Sequence, residues 1–184
     1  MTPPNPMEPS PRPSPSRAPE PTTVALSLGA NLGPSKRILR TALEALRGHL
    51  LEVRVSPLYR TEPVSEIPQP DFYNLAVVGR THLPPDELLR VLQSLETAAG
   101  RVRADLENGP RQLDIDILLY GGETSEEPHL LLPHPRMRFR RFVLEPLKEI
   151  APDLPVPPDH QTVSQLLAGL PRGERVRQIP WRAP

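Results

Sequence analysis

The hydrophobic and polar positions change their repeat several times along the chain, and each change marks an element. In VALSL, Val24, Leu26 and Leu28 alternate with small residues, the period-2 pattern of a half-buried strand. After a turn in GANLG, Leu39, Leu43 and Leu46 stand at helical spacing between Ser35 and Gly48, where glycine signals the stop. LEVRVSPLYR alternates Leu51, Val53 and Val55, and FYNLAVVGRT supplies another strand beyond a proline-rich loop from Pro63 to Pro70. Pro84, Pro85, Asp86 and Glu87 suit a first helical turn, and Leu88, Leu92, Leu95 and Ala99 continue that helix to Gly100. After the loop RVRADLENGPRQ, the run LDIDILLY reads as a strand.

The predicted order is β-α-β-β-α-β, an α+β, ferredoxin-like arrangement with an antiparallel sheet. Two helices cover one face of that sheet, and the other face is available to stay open. Beyond Gly121 the sequence predicts a small hairpin, a short helix around Phe142 to Leu147, and another from Val163 to Leu167 that Gly169 stops. Residues 1–22, rich in proline and serine, lack the apolar positions to cover a core and are expected to be a disordered tail. Residues 23–170 are expected to form one domain, followed by a proline- and arginine-rich C-terminal tail, 171–184, with Trp181 as its anchor.

Charge narrows the function. Lys+Arg and Asp+Glu both number 22, giving a formal net charge of +0, so no global field draws the molecule to nucleic acid or an anionic membrane. Any anion site must be local. With no cysteine, thiolate metal sites and disulfides are excluded, and a bound metal must use oxygen or imidazole. No apolar run suits a secretion signal or a membrane span, so a cytoplasmic location is expected.

In the strand Leu113 to Tyr120, alternation sends Leu113, Ile115 and Ile117 to one face and Asp114 and Asp116 to the other. Two strand positions apart, the carboxylates are separated by about 6.6 Å at their α-carbons. They could bracket hard cations, and Mg²⁺ favours one or two carboxylates completed by phosphate oxygens and water. Alone, D-x-D reads more readily as an acidic solvated strand face. The neighbouring Arg101, Arg103 and Arg111 make the pair more telling, because guanidinium forks suit triphosphate oxygens. HPRMRFRRF adds His134, Arg136, Arg138, Arg140 and Arg141, a second basic cluster that also reads as a surface patch. GANLGPSK does not have the glycine and lysine spacing of a Walker-type phosphate loop.

Taken together, SLGANLG, YRTEP, DFYNLAV, GRVR, GPRQLDIDILLY and PH followed by RFVLEPL resemble the 6-hydroxymethyl-7,8-dihydropterin pyrophosphokinase family, collinearly from Val24 to Leu167. The resemblance implies transfer of pyrophosphate from ATP to the hydroxymethyl pterin, a step of folate biosynthesis, with ATP as co-substrate and two Mg²⁺ ions held by Asp114 and Asp116. It implies that Arg101 and Arg111 stabilise the transferring phosphates. Gln93, Glu96, Arg103, Ile117, His134 and Arg140 would lie on the nucleotide side. It further implies that Asn74 bonds the pterin edge, that Phe72 and Phe142 flank the ring, and that Thr61 completes the pocket. A monomer is expected, with no nucleic-acid or membrane partner.

Some positions depart from the family pattern. Asn108 stands where a large aromatic is usual and Glu107 where a basic residue is usual, Pro135 follows His134 in place of an aromatic, and His129 replaces a basic phosphate contact. The loops from Pro63 to Pro70 and from Val102 to Pro110 are expected to close over substrates. The competing readings are a non-catalytic pterin- or nucleotide-binding homologue, a phosphoryl transferase with another acceptor, and a nucleic-acid module using an open ferredoxin-like sheet.

Overall fold

The computed structural model of the protein describes residues 20–64, 67–100, 109–173 and 175–184. The predicted order of the first two-thirds is present: β1 (Thr22–Ala30), α1 (Ser35–Leu46), β2 (Leu51–Val55), β3 (Leu58–Thr61), β4 (Phe72–Thr81), α2 (Pro85–Ala98) and β5 (Asp114–Tyr120). The sequence read LEVRVSPLYR as one strand, but the structure divides it into β2 and β3, both lying antiparallel along the same edge of β4. Pro57, which has no N–H to give to a ladder, separates them. Ser56 carries the join: its N–H donates to the Ala76 carbonyl at 2.9 Å, and its Oγ accepts from the Ala76 N–H at 2.9 Å.

The strands run in the order β3, β4, β1, β5, all antiparallel. Leu26 and Leu28 of β1, Leu75 and Val77 of β4, and Ile115 and Ile117 of β5 point to one face. There they join Leu39, Leu43 and Leu46 of α1 and Leu88 and Leu92 of α2 in the larger core. At about 25 cal/mol per Å² of apolar surface removed from water, this layer is the main source of stability. Helix α2 begins with Pro85, Asp86 and Glu87, a fixed φ followed by acidic charges at the positive end of the helix dipole. It gives way at Gly100, whose φ of +94° is a conformation that side-chain-bearing residues avoid.

The predicted hairpin and short helices follow: β6 (Ser125–Glu127), β7 (Leu130–Leu132), a 3₁₀ turn at Met137–Phe139, α3 (Arg141–Ile150), a two-residue ribbon of β8 (Pro155–Val156) with β9 (Gln161–Thr162), and α4 (Val163–Gly169). The second sheet face is therefore not open along its whole extent. Ala25, Ala76, Val78, Leu118 and Leu119 are covered by Val143, Leu144 and Leu147 of α3 and by Val163, Leu166 and Leu167 of α4. The C-terminal segment, read as a tail, supplies β10 (Val176–Ile179), which pairs antiparallel with β3 and extends the sheet. Trp181 packs against the larger core with Arg40 5.8 Å from its ring centre, and Arg40 donates to the Arg182 carbonyl at 3.0 Å. Among the described residues no helix is long and apolar enough to cross a membrane.

Candidate active site

What α3 leaves uncovered on the second face is a solvent-open cleft of about 610 Å³. Its floor is the outer half of the sheet: Ser27 and Gly29 of β1, Asn74 of β4, and Asp114 and Asp116 of β5. Alternation does this, because Ala25 lies under α3 while Ser27 and Gly29, two and four residues on, line the cleft. Thr61, Glu62, Val64 and Phe72 form one wall, and Arg111, Arg140 and Phe142 the other.

The acceptor side is built around a buried amide. Asn74 is 5% exposed, and its Nδ2 donates to Thr61 Oγ1 at 2.6 Å. A Cβ placed on Gly29 would stand 2.6 Å from Asn74 Oδ1, so the glycine leaves the room that the amide occupies. Phe72 and Phe142, both half-buried, line the same cleft as Asn74. Such a set suits a flat heteroaromatic with an amide-like edge.

The opposite side is charged. Arg111 donates to Asp114, and Arg140 lies 5.3 Å from the Phe142 ring centre. Burial pushes the Asp116 carboxyl up to about 6, the Asp114 charge adds to this, and Arg140, Arg111 and Arg136 oppose it. Burial is also the chief cause holding His134 down to about 4, reinforced by Arg140 and Arg136. His134 is thus neutral at pH 7. Its Nδ1 accepts from the Arg136 N–H at 3.2 Å, which leaves the proton on Nε2, 3.8 Å from Asp116 Oδ2. Burial also lowers the Arg140 pKa from its ordinary value.

The carboxylate pair fits a divalent cation. Burial raises the cost of a charge on Asp116 and the Asp114 carboxylate adds to it, and a cation at the pair offsets that cost. Among the described residues no group of three or more His, Asp or Glu side chains could hold a metal by itself. With two carboxylates at the pair, phosphate oxygens and water suit the remaining positions, which is how Mg²⁺ is ordinarily bound with nucleotides.

Residues 25–152 match the sequence model of the family described as 7,8-dihydro-6-hydroxymethylpterin-pyrophosphokinase (HPPK). The chain belongs to this family. The 2-amino-4-hydroxy-6-hydroxymethyldihydropteridine pyrophosphokinase of Pseudomonas aeruginosa is 42% identical over 160 residues, covering 85% of this chain and 96% of that one. The Bacillus subtilis protein of the same name is 43% identical over 127 residues, covering 68% of this chain and 75% of its own. In structure the chain is similar to wild-type Plasmodium falciparum HPPK-DHPS with SDX-DHP. The TM-score is 0.60 at 18% identity, and the match covers 80% of this chain and 43% of that much longer one, a likeness of fold.

Of the HPPK site residues expected from sequence, Thr61, Phe72, Asn74, Arg111, Asp114, Asp116, Arg140 and Phe142 line one cleft, and His134 stands beside Asp116. Arg101, Arg103, Glu107 and Asn108 lie outside the described residues. Ile117 requires a correction. Its side chain is 4% exposed in the core under α1 and α2, because strand alternation turns it away from the aspartates, and only its backbone remains for a nucleotide. Glu96 is not a cleft residue either. It is buried beneath the sheet, where its Oε1 accepts from the Ile115 N–H at 2.8 Å and so fixes the strand between the two aspartates. Gln93 is half-buried on the same helix and does not line the cleft.

The second arginine cluster divides. Arg138 binds Asp159 and the carbonyls of Val156 and Pro157, and Arg141 binds Glu145 and the Leu170 carbonyl, so both brace the C-terminal elements. His129 pairs with Asp86 at 2.8 Å, at the start of α2. Asn31 lies in the predicted turn GANLG and is not among the residues that the sequence points to. Its amide donates to Gln69 Oε1 and the Pro70 carbonyl, and its Oδ1 accepts from the Arg111 N–H at 2.7 Å, joining the loops on both sides of the cleft. An asparagine in a glycine-bearing turn was the only signal.

Proposed function

We propose that the protein transfers the pyrophosphoryl group of ATP to 6-hydroxymethyl-7,8-dihydropterin, giving the pterin diphosphate and AMP. One observation carries this reading: a buried amide, two aromatic rings, and a carboxylate pair with arginines beside it line the same cleft. An acceptor and a polyphosphate can meet there.

In the reaction, the hydroxymethyl oxygen attacks the β-phosphorus, the bond from that phosphorus to the α,β-bridging oxygen breaks, and AMP departs with the bridging electrons. Asn74 orients the pterin by its amide edge, and Phe72 and Phe142 hold the ring planar and exclude water. Arg111 and Arg140 offer guanidinium donors to the charge that develops on the phosphates, and neutral His134 offers its Nε2 proton. Asp116 is the carboxylate we assign to receive the hydroxyl proton. Asp114 and Asp116 would hold Mg²⁺, two ions in this reading, which supplies charge neutralisation on the phosphates. Little covalent participation by the protein is needed. We place the enzyme in the cytoplasm as a monomer; a chain without cysteine is compatible with a reducing compartment.

Substitution of the acceptor side separates this reading from a transferase for some other alcohol. Asn74→Ala should raise KM for the pterin at least tenfold and leave KM for ATP within twofold. Equal KM values for the pterin in both proteins would overturn the acceptor assignment. The nucleic-acid reading loses its support because α3 and α4 occupy half of the sheet face it would need.

A further inference from the structure

The family match ends at residue 152, yet the chain continues into a strand that meets the acceptor wall. We propose that β10 is a positioning element of the acceptor subsite, latched to the wall through Arg175 and Glu62. This rests on the acceptor assignment made above.

The latch has two arms on one carboxylate. The Arg175 N–H donates to Glu62 Oε1 at 3.2 Å, and Arg175 Nε stands 3.4 Å from Glu62 Oε2. Glu62 lines the catalytic cleft and also lines a second, charged, solvent-open hollow, shared with Arg60, Asp71, Arg175 and Arg177. It is the common wall of the two. The next pair in register is Val176 with Thr61, the residue whose hydroxyl accepts from the Asn74 amide. One step further, Arg177 faces Arg60, and Arg60 pairs with Asp71 at 2.8 Å, immediately before Phe72. Three of the wall residues, Thr61, Glu62 and Phe72, are therefore each held directly, or through a neighbour, by the edge that β10 covers.

The other end of the segment is fixed independently. Trp181 packs against the larger core and Arg40 of α1 holds the Arg182 carbonyl, so β10 is stretched between an anchored end and the wall. The contacts of this set fall on Thr61, Glu62 and Asp71, on the acceptor wall. The latch acts on acceptor affinity and not on nucleotide affinity. Arg175 is largely exposed, which bounds the effect of the ion pair to a few fold.

The test uses the full chain and two separate binding measurements: pterin substrate by its own fluorescence, in the presence of a non-hydrolysable ATP analogue, and the analogue alone by calorimetry. Arg175→Glu, which sets a carboxylate against Glu62, should raise Kd for the pterin about fivefold, with Kd for the analogue and kcat at saturating pterin within twofold. Arg175→Lys should recover most of the loss. If Arg175→Glu does not fold, Arg175→Ala should show about a threefold rise with the same selectivity. An unchanged pterin Kd, or equal losses for pterin and analogue, overturns the latch. A wild-type protein that binds the analogue but no pterin overturns the acceptor assignment, and the latch falls with it.

Discussion

A single atom of clearance separates Gly29 from any other residue. Because its Cβ would come within 2.6 Å of Asn74 Oδ1, Gly29→Ala should displace the amide and raise KM for the pterin at least tenfold, with ATP affinity retained. Steady-state kinetics with each substrate varied in turn checks this. Asp116 yields a pH prediction. Its folded pKa, about 6, lies above the ordinary carboxyl value of 3.8, so between these limits the folded state holds a proton that the unfolded chain has released. Its contribution to stability is therefore lost as pH rises from about 4 to about 6. His134 acts oppositely: the unfolded chain holds the proton between about 4 and 6.5, so its contribution rises with pH there. Without Mg²⁺, the stability of wild type relative to Asp116→Asn should decline from pH 4 to 6 and level off above. A difference independent of pH in denaturant titrations would contradict this. The aspartates were legible because a strand with period 2 must place Asp114 and Asp116 together. Ile117 shows the limit of a resemblance: the same alternation turns its side chain away from them.

At the scale of elements, the sequence carried the helices and strands because each apolar pattern has a long enough run. It did not carry the break between β2 and β3, where one serine hydroxyl substitutes for a ladder partner beside Pro57. Nor could it assign Glu96, since a polar position on a helical face does not reveal which strand's backbone it will meet. Its carboxylate ties α2 to the middle of the D-x-D segment. Glu96→Ala should leave the buried Ile115 N–H without that acceptor and destabilise the fold by about 1–3 kcal/mol. Thermal unfolding would register it, together with a lower kcat as the aspartates lose their support. A Tm equal to wild type would show that the helix does not anchor the strand.

For the whole molecule, the organising feature is the division of one sheet face between α3 with α4 and a cleft. The two-helix face was readable from hydrophobic spacing. The position of α3 was not, because nothing local distinguishes packing on that face from packing elsewhere. Likewise β10 was hidden within an arginine- and proline-rich segment, and only the free edge of β3 gives Val176–Ile179 a partner. A cleft that assembles residues from β1 to α3 should make ligand binding a global stabiliser. At a hundredfold excess over Kd, an ATP analogue with Mg²⁺ should add about 2.7 kcal/mol, a Tm increase of about 5–10 °C for a chain of this size. Chelating the metal should remove most of that shift. An equal shift without Mg²⁺ would mean that the aspartates do not take part in nucleotide binding.

The central claim is that one cleft brings the pterin hydroxyl to the β-phosphorus of ATP. The most direct measurement is the product analysis of wild type and Asp116→Asn, each incubated with ATP, Mg²⁺ and 6-hydroxymethyl-7,8-dihydropterin. Wild type should give AMP and pterin diphosphate in equal amounts, and the variant a rate at least a hundredfold lower. Formation of ADP with a pterin monophosphate, or undiminished turnover by Asp116→Asn, would contradict it.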